Sequence, residues 1–256
     1  MDNIIYMSNE GISTISLNRP KVYNALNPET LRELLAIIKQ VKTNDDKIVI
    51  LTGEGSAFCS GGDINMMESS GSGNEFSELM DLVSEITLEL YSLPKILIAA
   101  INGSATGLGL SIALNADYIV AEEDAKFGML FLGVGLVPDG GGHFHLEERL
   151  KTHAAKQFIW SMKQIKGAHA KDIGLVDILV ESNAIVGANQ LANQLKMAPL
   201  LTMIQTKEIL HAKKMPVLES YLKAEKVGQL KMIQTYDHAE GVRAFLNKEK
   251  PLFNSK

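Results

Sequence analysis

The chain has 256 residues, 46% hydrophobic and 21% charged, a balance that suits a folded globular protein with a sizeable core. Its 25 basic and 30 acidic residues give a net charge of −5 with no strong basic block, which argues against nucleic acid as a partner. No apolar run approaches the roughly 20 residues that span a bilayer, so no membrane is expected as a partner. The single cysteine, Cys59, excludes an internal disulfide.

The first residues, Met1-Asp2-Asn3-Ile4-Ile5, lack a basic and then apolar leader, and with one cysteine this predicts a reducing cytoplasm as location. Ile12 to Leu17 alternates with period two, the pattern of a half-buried strand. After Asn18-Arg19-Pro20, the run Asn27-Pro28-Glu29 has the chemistry of a helix start: a capping amide, a first-turn proline and an early acid. Leu31, Leu34, Ile38 and Val41 continue at helical spacing. Ile48 to Leu51 is a short apolar strand opening into a glycine- and serine-rich loop, Thr52 to Asp63.

A second round follows. A helix is predicted from about Glu75 to Leu93, stopped by Pro94, then a strand from Ile96 to Ile101, a loop from Asn102 to Gly107 and a small-residue helix to about Asn115. Another strand, Tyr118 to Ala121, leads towards Phe127-Gly128, and a third loop, Leu136 to Gly142, precedes helical sequence. Strands, loops and helices in this recurring order predict an α/β fold. Strand signals end at Leu175 to Val180; Ala184–Ala198, Leu201–Lys213, Val217–Thr235 and His238–Asn247 all read as helices. The expected organisation is an α/β core over residues 1–195 and a helical region over 196–256, the latter either an assembly module or a cover for the core.

Two loops carry the chemistry. Ala57-Phe58-Cys59-Ser60-Gly61-Gly62-Asp63-Ile64 and Asn102-Gly103-Ser104-Ala105-Thr106-Gly107-Leu108-Gly109 each follow an apolar strand and run into predicted helix. Glycine lets the main chain approach a ligand, and a helix N-terminus leaves N–H groups unpaired and facing outward. Two such amides converging on one point form an oxyanion hole, which stabilises enolates and tetrahedral intermediates.

At these residues the sequence resembles the crotonase, or enoyl-CoA hydratase/isomerase, superfamily. The resemblance rests on Leu17-Asn18-Arg19-Pro20, Asn24-Ala25-Leu26, Leu51-Thr52-Gly53 and Phe58-Cys59-Ser60-Gly61-Gly62-Asp63. It continues through Ile101-Asn102-Gly103, Ala113-Leu114, Ala116-Asp117, Phe127-Gly128 and Gly174-Leu175-Val176, in family order over nearly the whole chain. It implies a spiral of repeated ββα units with a helical C-terminal region that builds trimers, often paired into hexamers. It also implies an acyl-coenzyme A thioester as substrate, with no metal and no further cofactor. The implied oxyanion donors are the main-chain N–H groups of Gly62 and Leu108; Leu108 stands where glycine is common, yet an amide donor needs no particular side chain. Around the first loop, Ser60, Gly62, Asp63, Ile64 and Asn65 are implied in holding coenzyme A. Asn65 replaces a lysine common in relatives, so Lys21, Lys248 and Lys256 are alternative phosphate contacts or plain surface lysines.

Family hydratases use two glutamates, and the matching positions here are Ser111 and Phe131. Neither serves as a general base near neutral pH. Phe131 is assigned instead to substrate contact. Asp139, in Val137-Pro138-Asp139-Gly140-Gly141, matches the position where some isomerases of the family carry their only acid/base group. Apolar Phe131, Leu132 and Leu136 would desolvate it and raise its pKa; alternatively Asp139 caps a helix or shapes a turn. His143 and His145 are further acid/base or phosphate-contact candidates, though an i, i+2 pair rarely shares a helix face. Cys59 suits packing better than nucleophilic attack, and Asp117 and Asp63 suit the bracing of loops. Ser111 holds a water or packs. Phe76, Met66, Met67, Met80, Phe131 and Trp160 line an acyl tunnel or belong to the core. The expected activity is enoyl-CoA double-bond isomerisation; the alternatives are a hydratase or lyase with rearranged groups, or a binding protein that has lost chemistry.

Overall fold

The computed structural model describes residues 2–64 and 73–255. Asn65, Met66, Met67 and Lys256, all candidates above, lie outside the described residues. Among the described residues ten strands form two sheets. The larger has the order β1(Ile4–Asn9), β2(Ile12–Leu17), β3(Ile48–Gly53), β5(Ile96–Ile101), β7(Tyr118–Glu122), β10(Ile178–Val180). The smaller has the order β4(Ala57–Cys59), β6(Ser104–Thr106), β8(Lys126–Gly128), β9(Ile165–Lys166). β1 and β2 form an antiparallel hairpin, whereas β2, β3, β5, β7 and β10 pair in parallel.

The spiral lies in how the sheets alternate. β3 and β4, β5 and β6, and β7 and β8 each place one strand in the large sheet and the next in the small one. Helix follows each pair: α2(Gly73–Tyr91), α3(Leu108–Ala113) and, after a 3-10 turn at Leu130–Val134, α4(Gly142–Ser161). This is the expected ββα repetition, and each passage from the small sheet to a helix is a loop of the candidate site.

Why the large sheet reads as continuous apolar sequence follows from its burial. All six residues of β3 and of β5 are buried, as a parallel sheet covered on both faces requires. Val49, Leu51, Leu97 and Ala99 face the main core, with α1(Pro28–Thr43) and α2. Ile48, Ile50, Ile96 and Ile98 face a second core with α6(Ala184–Lys196) and the start of α7(Leu200–Met232). The predicted start of α1 holds: Asn27 Oδ1 accepts the Thr30 N–H at 2.8 Å, with Pro28 in the first turn.

Three expectations need correction. β1 carries no strand signal because only Ile4 of its six residues is fully buried. The glycine-rich loops contain the short strands β4 and β6, too brief for a periodic pattern. The predicted break between Lys213 and Val217 is absent: α7 runs unbroken for 33 residues with Pro216 inside. Proline removes one helical hydrogen bond and costs about 3 kcal/mol, but α7 is fastened on both sides of it. Upstream, Lys207 donates to Lys95 O and to Asp117; downstream, Leu218 and Leu222 pack with Tyr91 and Phe144. After α5(Gly167–Asp172) and α6, therefore, one long helix lies over the core, and α8(Tyr236–Asn247), capped by Thr235, follows it. Among the described residues no helix is long and apolar enough to cross a membrane.

Candidate active site

The two glycine-rich loops meet. Gly61, at φ +100°, sits so close to the second loop that a Cβ on it would lie 2.9 Å from Thr106 O and 3.5 Å from the Leu108 amide nitrogen. Leu26 bridges the first loop, donating to Gly61 O and accepting from the Asp63 N–H. In such a parallel bridge the residue between the two bonds points its own N–H the other way, so the Gly62 N–H faces away from Leu26. Gly107, at φ +54°, turns the second loop into α3, and Leu108 takes the first helical position, where its N–H has no carbonyl one turn back. Among the described residues no acceptor engages the Gly62 or the Leu108 N–H. Two unpaired main-chain donors thus stand on loops in van der Waals contact.

Buried polar side chains hold these loops. Asn24 Oδ1 accepts from Arg19 N, while its Nδ2 donates to Glu54 O and Ala57 O at 2.9 and 2.8 Å. Arg19 pairs with Asp63 at 3.2 Å. Asn102 Nδ2 donates to Gly53 O and Gly55 O, and Thr106 Oγ1 to Ser60 O, which ties one loop to the other. Cys59 is buried, with its thiol on Asn24 O, and burial pushes its pKa up to about 12; it packs, and it is no thiolate nucleophile.

The third loop brings Asp139 beside them. A Cβ on Gly140 would lie 2.7 Å from Leu108 Cδ1 and 3.2 Å from Ser111 Cβ, so Asp139 neighbours the start of α3. Asp139 is 7% exposed. Its Oδ2 accepts from Gln229 Nε2 at 3.2 Å, and its Oδ1 is buried with no partner. Burial, then the charge of Glu225, holds this carboxyl well above the usual carboxylate range, against a smaller opposing effect of its own main-chain N–H.

α7 supplies the surroundings. Glu225 accepts from the Gly141 and His143 N–H groups at 2.8 and 3.0 Å and from His143 Nδ1 at 2.8 Å, so it occupies the N-terminal end of α4. Nothing in the local sequence announced Glu225 or Gln229; both belong to a helix some ninety positions downstream, and only their spacing of four, on one helix face, was there to be read.

The remaining candidates scatter. The Phe131 ring borders the oxyanion loop, 3.9 Å from where a Cβ on Gly107 would sit. Ser111 is buried in α3 with its hydroxyl unpartnered. Ile64 is half-buried against the main core, and Ser60 is exposed. His145 is buried, and desolvation lowers its pKa to about 3, so it is neutral; Nε2 has no partner. Phe76 and Met80 are core residues, whereas Trp160, 55% exposed beside Lys156, lines neither tunnel nor core. Asp117 accepts from the Leu97 N–H and from Lys207, both at 2.8 Å, the bracing role expected of it. Lys21 and Lys248 are exposed.

A narrow crevice with no room for a water molecule reaches Asp139 between α2 and α7, lined by Met80, Val83, Ser84, Leu222 and Glu225. A wider groove of about 670 Å³ lies elsewhere, against β2 and β3, but Glu54, Glu122 and Asp124 line it. Three carboxylates repel the phosphates of a nucleotide thioester.

Fold and sequence together place the chain in a family of enzymes. Residues 7–256 match the enoyl-CoA hydratase/isomerase family, and the chain belongs to it. It is 42% identical over 255 residues, the full length of both chains, to the putative enoyl-CoA hydratase/isomerase YhaR of Bacillus subtilis. To the 1,2-epoxyphenylacetyl-CoA isomerase of Escherichia coli it is 31% identical over 261 residues, again the whole of both. Its fold is similar to that of an enoyl-CoA hydratase from Mycobacterium avium subsp. paratuberculosis, with a TM-score of 0.90, 25% identity and 99% of each chain covered.

Proposed function

We propose that the protein is an enoyl-CoA double-bond isomerase in which Asp139 moves the proton. Asp139 Oδ1 carries this reading: a buried carboxylate oxygen without a partner, on the residue before Gly140, which packs on the Leu108 side chain. With Ser111 and Phe131 at the two positions where hydratases have glutamates, the site lacks the pair that would activate water. A single carboxylate suffices for a double-bond shift. It takes a proton from Cα of a 3-enoyl thioester, the electrons pass to the carbonyl oxygen, and the same carboxyl returns the proton at Cγ to give the 2-enoyl thioester. The Gly62 and Leu108 N–H groups receive the oxyanion, a contribution of roughly 10²–10³-fold per donor. Proton transfer between carbons leaves oxidation state unchanged, so acyl-coenzyme A is proposed as substrate with no added cofactor. Ser60, Gly62, Asp63, Ile64 and Asn65 are proposed to line the coenzyme A path, and Phe131 the acyl end. The working unit is proposed to be a cytoplasmic homotrimer or dimer of trimers.

Incubation with 3-enoyl-CoA and, separately, 2-enoyl-CoA tests the reaction. The expected result is interconversion with little 3-hydroxyacyl-CoA; net hydration overturns the isomerase assignment. Asp139→Asn should lower kcat by about 10³-fold or more with thioester affinity retained, and near-normal turnover discards Asp139.

A further inference from the structure

The segment that carries Asp139 is held almost entirely by two successive turns of α7. Gln229 Nε2 donates to Val137 O at 2.6 Å and to Asp139 Oδ2 at 3.2 Å. One turn earlier, Glu225 accepts from the N–H groups of Gly141 and His143. Residues 137, 139, 141 and 143, every second position of the loop, are thus pinned by two side chains four residues apart. Both are withdrawn from water: Glu225 is 4% exposed and Gln229 0%. Burying a carboxylate and an amide costs several kcal/mol unless their bonds are made, and here the bonds go to one short loop.

We propose that Glu225 and Gln229 are positioning residues for Asp139: Gln229 fixes its carboxyl plane by holding Oδ2, and Glu225 fixes the segment that follows it by accepting from the Gly141 and His143 N–H groups. This inference rests on the reading of Asp139 as the acid/base group. The amide of Gln229 engages one carboxylate oxygen and leaves the other free, so substrate meets Oδ1 in a single orientation. Glu225 has a different task. It accepts from two main-chain donors at the start of α4, and its charge disfavours ionisation of Asp139 nearby. Glu225, not Gln229, therefore adds to what burial does for the basicity of Asp139, and it does so from the other end of the chain.

Other charges around this point are already engaged. On α7, Lys226 pairs with Asp81 of α2 at 2.5 Å, and the Tyr221 hydroxyl donates to Glu147 of α4. Further along, Lys214 pairs with Glu148 and Arg149 with Asp177. Among the groups facing Glu225, His143 bonds it directly through Nδ1, and His145 on the same helix is held neutral by burial.

The test uses Glu225→Gln, which keeps an acceptor for the α4 N-terminus but no charge, and Gln229→Met, which keeps the volume but not the donor. Turnover of 3-enoyl-CoA is followed against pH, and the Asp139 carboxyl is titrated by NMR in protein labelled with carbon-13 at aspartate, assigned by comparison with Asp139→Asn. For Glu225→Gln, the acidic limb of kcat/KM and the NMR titration should both move to lower pH. For Gln229→Met, kcat should fall about 10–100-fold with KM within twofold. A merely structural role would lower the melting temperature and leave limb and titration in place. If Asp139→Asn is inactive while Glu225→Gln leaves both curves unmoved and Gln229→Met keeps its kcat, the positioning role is refuted and the isomerase reading stands. If Asp139→Asn stays active, the isomerase reading fails, and the NMR titration alone still decides whether Glu225 raises the proton affinity of Asp139.

Discussion

The two halves of this site are made of different material. The proposed oxyanion half is main chain: Gly62 and Leu108 offer N–H groups whose direction is set by a parallel bridge at Leu26 and by the start of α3. The proposed proton-transfer half is side chain: Asp139 depends on burial and on two residues of α7. Main-chain donors need a particular backbone path and little else, so their sequence requirement is local and concentrated in glycines. A carboxylate with raised proton affinity needs an environment, and that environment is assembled from segments far apart in the chain. The first half is therefore rigid and sensitive to a methyl group; the second is tunable and sensitive to charge.

The largest effect should come from breaking the main-chain half. Gly61→Ala places a Cβ in a positive-φ conformation and 2.9 Å from Thr106 O. The loop must shift away from the second one, and the Gly62 donor with it. We expect kcat/KM to fall about 10²-fold or more; turnover within a fewfold of wild type would show that the loops need not touch. Asn24→Ala should follow in size. It leaves the Arg19 N–H and the carbonyls of Glu54 and Ala57 without the bonds Asn24 makes. A loss of roughly 2–4 kcal/mol in urea unfolding is expected, whereas a loss under 1 kcal/mol would mean that other groups brace the loop.

How much of this was readable in advance follows the same division. The glycine loops, Asn24 and the strand-loop-helix order were legible because each is a local pattern: an apolar run, then glycines, then helix. Asp139 was legible only through the resemblance, since beside Pro138 and Gly140 an aspartate by itself reads as a cap or turn residue. Its environment was legible in part. Desolvation was expected to raise its pKa and is the main cause of the rise, but its partner Gln229 and the charge of Glu225 were not foreseen. Pro216 hid the continuity of α7 and so hid that these two residues lie on a helix fastened at both ends. Trp160 differs from the expectation of tunnel or core: near the end of α4 it is exposed to solvent.

A smaller effect, of opposite sign, tests the side-chain half. A carboxyl whose folded pKa lies above its unfolded value costs nothing below the unfolded pKa, and it destabilises the fold as pH rises through the folded one. Asp139 is such a group, since burial and Glu225 raise it. Asp139→Asn should therefore be as stable as wild type in acid and more stable above neutrality, by a few degrees in melting temperature. A helix-capping or turn-forming aspartate predicts the reverse, a less stable variant at high pH. Calorimetry at acid and alkaline pH thus separates a strained catalytic group from a structural one without any substrate.

The smallest expected effect is the one most able to reopen the comparison. Ser111 stands in α3 at a hydratase glutamate position, fully buried, with its hydroxyl unbonded and 2.8 Å from where a Cβ on Gly142 would lie. Under the single-carboxylate reading this hydroxyl has no chemical task. Ser111→Ala removes an unpaired buried polar atom, so stability should stay level or rise by about 1 kcal/mol, and isomerisation should remain within twofold. If Ser111 instead holds a water for attack on the β carbon, the substitution abolishes 3-hydroxyacyl-CoA formation while leaving the stability gain intact. Measuring both products with 2-enoyl-CoA distinguishes the two, because loss of hydration would place a second reacting group opposite Asp139.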